Sequence, residues 1–144
     1  MERTPILVLS ARITLVVLLA LTVAGCASPP VKTNPEPPGP LILSAKDSDS
    51  TQTIQTGQLL QITLDANPTT GYDWAVDGAV PAPLVESGAP RFTASSAAIG
   101  AGGTETWSFG ARAAGQGKLK LKYWRSFEAS TPPISTFQIN VVVK

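Results

Sequence analysis

The chain has no histidine and a single cysteine among its 144 residues. Without histidine there is no Ser-His-Asp or Cys-His catalytic arrangement, no imidazole general base and no His-ligated metal site. One cysteine excludes an intrachain disulfide and any multi-thiolate zinc or iron–sulfur centre. Charge is sparse too: 15% of residues are charged and the formal net charge is +1, which gives no electrostatic footing for nucleic acid. The ten acidic residues show no clustered pair along the sequence for general acid–base work. These absences point away from an enzyme and leave no cofactor or metal to expect.

What the chain does have begins with a targeting segment. Arg3 and Arg12 form a basic start, and residues 13–23 are an eleven-residue run that is apolar except for Thr14 and Thr22. A membrane-spanning helix needs roughly 20 apolar residues, so this run suits the core of a signal peptide instead. It ends in Leu21-Thr22-Val23-Ala24-Gly25-Cys26, which resembles the lipobox of bacterial lipoproteins. The resemblance implies cleavage after Gly25, a diacylglyceryl thioether on Cys26 and acylation of the new amino group. Residues 1–25 are then a lipoprotein signal peptide. The mature protein is expected to be exported and lipid-anchored to the outer or cytoplasmic membrane, its domain facing the periplasm or the exterior.

Residues 26–40 read as the lipidated Cys26 followed by a tether, with six prolines among residues 28–40. Proline fixes φ and lacks an amide donor, so the stretch favours polyproline II and can hold a domain up to roughly 40 Å from the headgroups at ~3.1 Å per residue. The globular domain is assigned to residues 41–144. There the hydrophobic period is two, not 3.6. Leu60, Ile62 and Leu64 alternate with polar residues. Trp107, Phe109 and Ala111 alternate with Thr106, Ser108 and Gly110, Leu119, Leu121 and Tyr123 with three lysines, and Phe137, Ile139, Val141 and Val143 with Thr136, Gln138, Asn140 and Val142.

Weaker strands are expected at 41–45, 51–55, 72–76 and 91–94, separated by turn residues that include Gly78, Pro81-Ala82-Pro83 and residues 115–117. The expected fold is all-β: an immunoglobulin-like antiparallel sandwich of seven to eight strands, with Trp74 where such domains bury a tryptophan. Lys118, Lys120 and Lys122 should line the solvent face of one strand.

Three loops carry information. In Asn67-Pro68-Thr69-Thr70-Gly71-Tyr72, Asn67 can cap a local turn, Pro68 fixes φ and Gly71 allows φ > 0, which together make a rigid, protruding loop. In Gly100-Ala101-Gly102-Gly103-Thr104 the glycines precede a strand rather than a helix, so this is no dinucleotide or Walker loop. It suits close backbone approach to a partner. Trp124-Arg125-Ser126-Phe127 has the aromatic-plus-arginine composition of an interface hot spot. With the strand at Leu59 counted as B, these are the B–C, D–E and F–G connections, which share one end of an immunoglobulin-type sandwich.

Asn67-Pro-Thr-Thr-Gly-Tyr72 followed by Trp74, and Gly100-Ala-Gly-Gly-Thr104 before an alternating strand, resemble the chagasin-like inhibitors of papain-type cysteine proteases. The resemblance spans residues 41–144. It implies a monomeric, reversible, competitive inhibitor that fills the cleft of a papain-like cysteine protease with three loops. Thr69, Thr70 and Gly71 would lie near the protease's cysteine and histidine, with residues 100–104 and 125–127 bracing the cleft on either side. The family's third motif is Arg-Pro-Trp; here Arg125-Ser126-Phe127 stands in its place, which removes the rigidity of proline. That departure keeps open an alternative, an immunoglobulin-like lipoprotein module that binds a cell-envelope protein or glycan.

Overall fold

Alternating strands must bury one face, and two sheets packed face to face do so most simply. The computed structural model describes residues 38–128 and 130–144, and it has this architecture. The expected signal peptide, Cys26 and most of the expected tether lie outside the described residues. Nine strands follow: β1 (Leu41–Ser44), β2 (Thr51–Ile54), β3 (Leu59–Ala66), β4 (Asp73–Val76), β5 (Leu84–Glu86), β6 (Arg91–Ala94), β7 (Gly103–Ala111), β8 (Gly115–Trp124) and β9 (Ser135–Val143). One sheet runs β1-β3-β7-β5, with β6 also pairing β7; the other runs β2-β9-β8-β4.

The four strongly alternating segments become β3, β7, β8 and β9. Their in-phase residues form the core between the sheets, with Leu60, Ile62, Phe109, Leu119 and Leu121 fully buried. Trp74 is buried, and its indole Nε1 donates to the Asp65 carbonyl at 2.9 Å, so β4 is held against the end of β3. On the outward face of β8, Lys118 and Lys120 are exposed. Lys122 pairs with Asp77 at 3.6 Å and lies 4.1 Å from the centre of the Trp124 ring.

The structure departs from the simplest expectation in three places. The sandwich is not wholly antiparallel: the N-terminal segment divides between the sheets, β1 pairing parallel to β3 and β2 parallel to β9. Each covers an edge that would otherwise present unpaired backbone groups. Residues 115–117 are not a turn but the start of β8, opposite Val143, Val142 and Val141. Glycine is required at 117 because a Cβ there would collide with Pro81, so the proline segment read as a turn lies across the strand. The short β5 had no alternation to show it.

Two substitutions test this division into core and solvent faces. Phe109→Ala should cost about 3–5 kcal/mol in urea unfolding, the usual range for emptying a buried aromatic site. Lys120→Ala, on the outer face of β8, should stay within about 0.5 kcal/mol of the parent.

Candidate functional site

Strand register gathers the three loops at one end. Ala66, the last residue of β3, faces Gly103, and Gly103 faces Ala94. In the other sheet Asp73 faces Trp124 and Tyr123 faces Ser135. The B–C loop, the glycine-rich loop and the F–G loop therefore emerge side by side.

The B–C loop is ordered by its own side chains. Pro68–Thr70 form a single 3-10 turn with Asn67 at its N-cap. Asn67 Oδ1 accepts from the Thr69 amide at 3.2 Å and from the Thr69 hydroxyl at 2.6 Å, while Thr70 Oγ1 donates to the Asn67 carbonyl at 2.6 Å. Gly71 closes the turn at φ 80, a left-handed conformation that costs glycine nothing and other residues about 1–2 kcal/mol. Proline at the first turn position removes an amide that would have had no helical partner. Thr69, Thr70 and Gly71 are all exposed at the tip.

The neighbouring loops then hold it. Tyr123, at the end of β8, accepts a 2.7 Å hydrogen bond from the Asn67 amide through its hydroxyl, and its ring lies against Trp74 at 5.1 Å and Tyr72 at 5.5 Å. Asn67 Nδ2 donates to the Gly100 carbonyl at 3.3 Å, tying the B–C loop to the glycine-rich loop. That loop closes on itself through Ser95, whose amide and hydroxyl both donate to the Gly102 carbonyl at 2.9 and 2.7 Å. Gly103 must be glycine because a Cβ would collide with the Thr93 carbonyl; it and Thr104 already belong to β7, so the free loop ends at Gly102.

On the other side, Arg125 lies over Tyr72, its guanidinium carbon 4.4 Å from the ring centre. Its Nη2 donates to the Thr70 carbonyl at 3.1 Å and its Nη1 bonds Glu128 at 3.0 Å. Arg125 therefore spends its fork inside the protein, locking the F–G loop onto the B–C loop. Phe127 is 71% exposed, yet its ring edge rests on Gly71, close enough that a Cβ there would lie 3.1 Å from Phe127 Cζ. Ser126 is exposed beside it. This stacked arrangement restrains the loop where proline would otherwise have done so. The glycine-rich loop carries a matching apolar tip, the fully exposed Ile99.

A 260 Å³ pocket lined by Leu64, Trp74, Tyr123 and Phe137 opens between the sheets, but none of the three loops contributes to its lining. A second pocket of 370 Å³ lies where the B–C and glycine-rich loops meet, lined by Asp65, Ala66, Asn67, Gly102, Gly103 and Tyr123.

One residue of this end carried no signal as a site. Glu105, in phase with Trp107, Phe109 and Ala111 on β7, points into the sandwich and is 4% exposed. Although the sequence shows no acidic pair, the fold brings Glu105 to Asp73, the first residue of β4 in the opposite sheet. Burial first, then repulsion by the Asp73 carboxylate and hydrogen bonding to it in the protonated form, together push the Glu105 carboxyl up to about 7. The nearby Trp107 indole and Trp74 amide oppose these effects more weakly.

Residues 53–141 match the family described as Chagasin family peptidase inhibitor I42. Chagasin of Trypanosoma cruzi is 32% identical over 94 residues, which span 62% of this chain and 86% of chagasin. The cysteine protease inhibitor EhICP2 from Entamoeba histolytica superposes with a TM-score of 0.66 at 24% identity, covering 74% of this chain and 96% of that one. PbICP-C, solved in complex with falcipain-2, gives 0.51 at 18% identity over 72% of this chain and 99% of its own. At those identities the two structures show a shared fold.

Gly71→Ala meets both a left-handed φ and the Phe127 ring, so amide hydrogen exchange should show lost protection across residues 67–72 with the sandwich intact. Arg125→Lys should do nearly the same, because an ammonium cannot stack on Tyr72 and bond two acceptors in one plane. For Glu105 the sign is set by the raised proton affinity of the folded state. Its contribution to stability is fully present below about pH 4.5 and is lost as pH rises through about 7. Thermal melts should therefore show a fall in that window for the parent and a flatter profile for Glu105→Gln.

Proposed function

The chain belongs to the chagasin family of peptidase inhibitors, and we propose that it is a reversible, competitive inhibitor of papain-type cysteine endopeptidases, held at a bacterial membrane by lipid on Cys26. The observation that carries this reading is the B–C loop itself. Its turn is fixed by Asn67, capped from below by Tyr123 and clamped from the side by Arg125, so its exposed tip is ordered before any partner arrives. A loop ordered in advance loses little freedom on docking, and the interaction energy is kept for affinity.

The same geometry accounts for inhibition without cleavage. A papain-type protease attacks an extended peptide, whereas residues 68–70 present a 3-10 turn followed by a left-handed glycine. Thr69, Thr70 and Gly71 would enter the cleft edge-on, with the peptide bond misaligned for attack. Ile99 and Phe127, one on each flanking loop, would dock against the protease surface on either side, with the glycine-rich backbone of residues 100–102 close to it. The chain offers no histidine or reactive thiol in the domain, so nothing in this scheme is covalent. A protein of the same fold solved in complex with falcipain-2 supports a protease as the partner class. Interfaces of this kind concentrate their energy in a few central residues, here the B–C tip.

The full chain, produced in a bacterium and solubilised from the membrane in mild detergent, should inhibit papain competitively and leave trypsin unaffected. Replacing Thr69-Thr70-Gly71 should abolish inhibition, while Cys26→Ser should move the inhibitory activity from the membrane to the soluble fraction. A folded protein that spares papain would shift the assignment to an envelope-binding module. Inhibition that survives the loop replacement would refute the wedge.

A further inference from the structure

The cavity between the sheets owes its existence to small residues at its rim. On β9 the inward phase runs Ser135, Phe137, Ile139, Val141 and Val143, and only its first member is not apolar. Ser135 stands opposite Tyr123 in the strand register. On the side of the other sheet, β1 gives way to a short 3-10 turn that opens with Ala45, a single methyl group. The space left is 260 Å³, bounded by Leu64, Trp74, Tyr123 and Phe137. Three of those four side chains are aromatic, and the Trp74 and Tyr123 rings stack at 5.1 Å. No lysine or arginine lines the space. Asp65 belongs to the outward phase of β3, and its carbonyl accepts the Trp74 indole. An ion placed here would lose its hydration without gaining a partner, so the walls suit an uncharged guest. Aromatic walls offer faces and edges to another ring. An apolar cavity of about 150 Å³ is enough to hold benzene, so this one has room for two fused rings.

We propose that this cavity is a binding site for a small, uncharged, bicyclic aromatic molecule, whose one polar group meets the hydroxyl-bearing rim at Ser135 and Thr136. A concave apolar space with a few polar groups at its edge is the usual form of a small-molecule site. Its walls are also the supports of the B–C loop. Trp74 holds the Asp65 carbonyl, the Tyr123 hydroxyl accepts from the Asn67 amide, and Tyr72 leans on the Tyr123 ring. A ring seated in the cavity takes away the space into which Trp74 and Tyr123 can move. The loop they carry then loses freedom with them. The site lies behind the loop surface and is independent of the inhibitory reading; its occupation tightens the turn at residues 67–72.

The test uses the full chain in mild detergent, as parent, Ser135→Leu and Ala45→Leu. Indole is the probe, and indole-3-carboxylate is its charged counterpart. Two readouts are taken: the resonances of the Leu64 methyls and the Trp74 indole N–H, and amide protection across residues 67–72. In the parent, indole should shift those resonances saturably and raise the protection. Indole-3-carboxylate should do neither. Leucine at 135 or at 45 grows into the cavity from one side or the other, and each variant should lose the saturable shift. Both positions are exposed, so the sandwich should tolerate the larger side chain, and either variant decides the matter if the other fails to fold. No saturable shift in the parent, equal binding of the carboxylate, or binding retained in the folded variants overturns the proposal. Binding that leaves residues 67–72 unprotected as before overturns its link to the loop. No protease enters these measurements, so a chain that spares papain but binds indole loses the inhibitory reading and keeps the site.

Discussion

The loop end of this protein depends on Tyr123. Its ring is the last layer of the core, stacked on Trp74, and its hydroxyl is the first contact of the loop surface, accepting from the Asn67 amide. A tyrosine suits this boundary because its body is apolar and its tip is polar. Everything above it is built in sequence. Tyr72 leans on Tyr123, Arg125 lies over Tyr72, and Arg125 reaches the Thr70 carbonyl at the tip. The rigidity of the exposed turn is therefore borrowed from the core through Tyr123, Tyr72 and Arg125, which leaves a turn of small residues ordered before any partner docks.

Stacking also resolves the departure at residues 126 and 127. A proline would stiffen the F–G loop locally, by restricting φ. Serine gives that up, and the loop is restrained instead by the Arg125 fork and by Phe127 seated on Gly71. The glycine at 71 is doubly constrained as a result, by its own φ and by the ring above it. Arg125, which reads as an interface anchor from composition, works from behind the surface, while Phe127 and Ile99 carry the exposed apolar area.

Much of the fold was legible because a strand announces itself within its own span. Four alternating runs gave the four long strands and nearly all of the core, and the cap at Asn67 and the left-handed Gly71 followed from residue types alone. The parallel edges were not legible, because β1 and β2 are short and their direction is chosen by which sheet edge lies open. The role of residues 115–117 was misread because glycine marks both turns and close approach, and only Pro81 packed against the strand distinguishes the two. Glu105 lay in plain phase with Trp107 and Phe109. Alternation could have flagged it as inward, but a charged residue at a core position reads as the end of the pattern until its partner is known.

The amino-acid sequence by itself determined the sandwich, its core face and the rigid turn, since each depends on preferences exerted within a few residues. It also excluded imidazole, disulfide and metal-thiolate chemistry by composition. Only the tertiary structure decided that Asn67 meets Tyr123 and Arg125 meets Thr70, contacts between residues more than fifty positions apart. It alone brought Asp73 and Glu105 together from different sheets. Pairing of that kind is set by strand register and sheet packing, and no local preference encodes it.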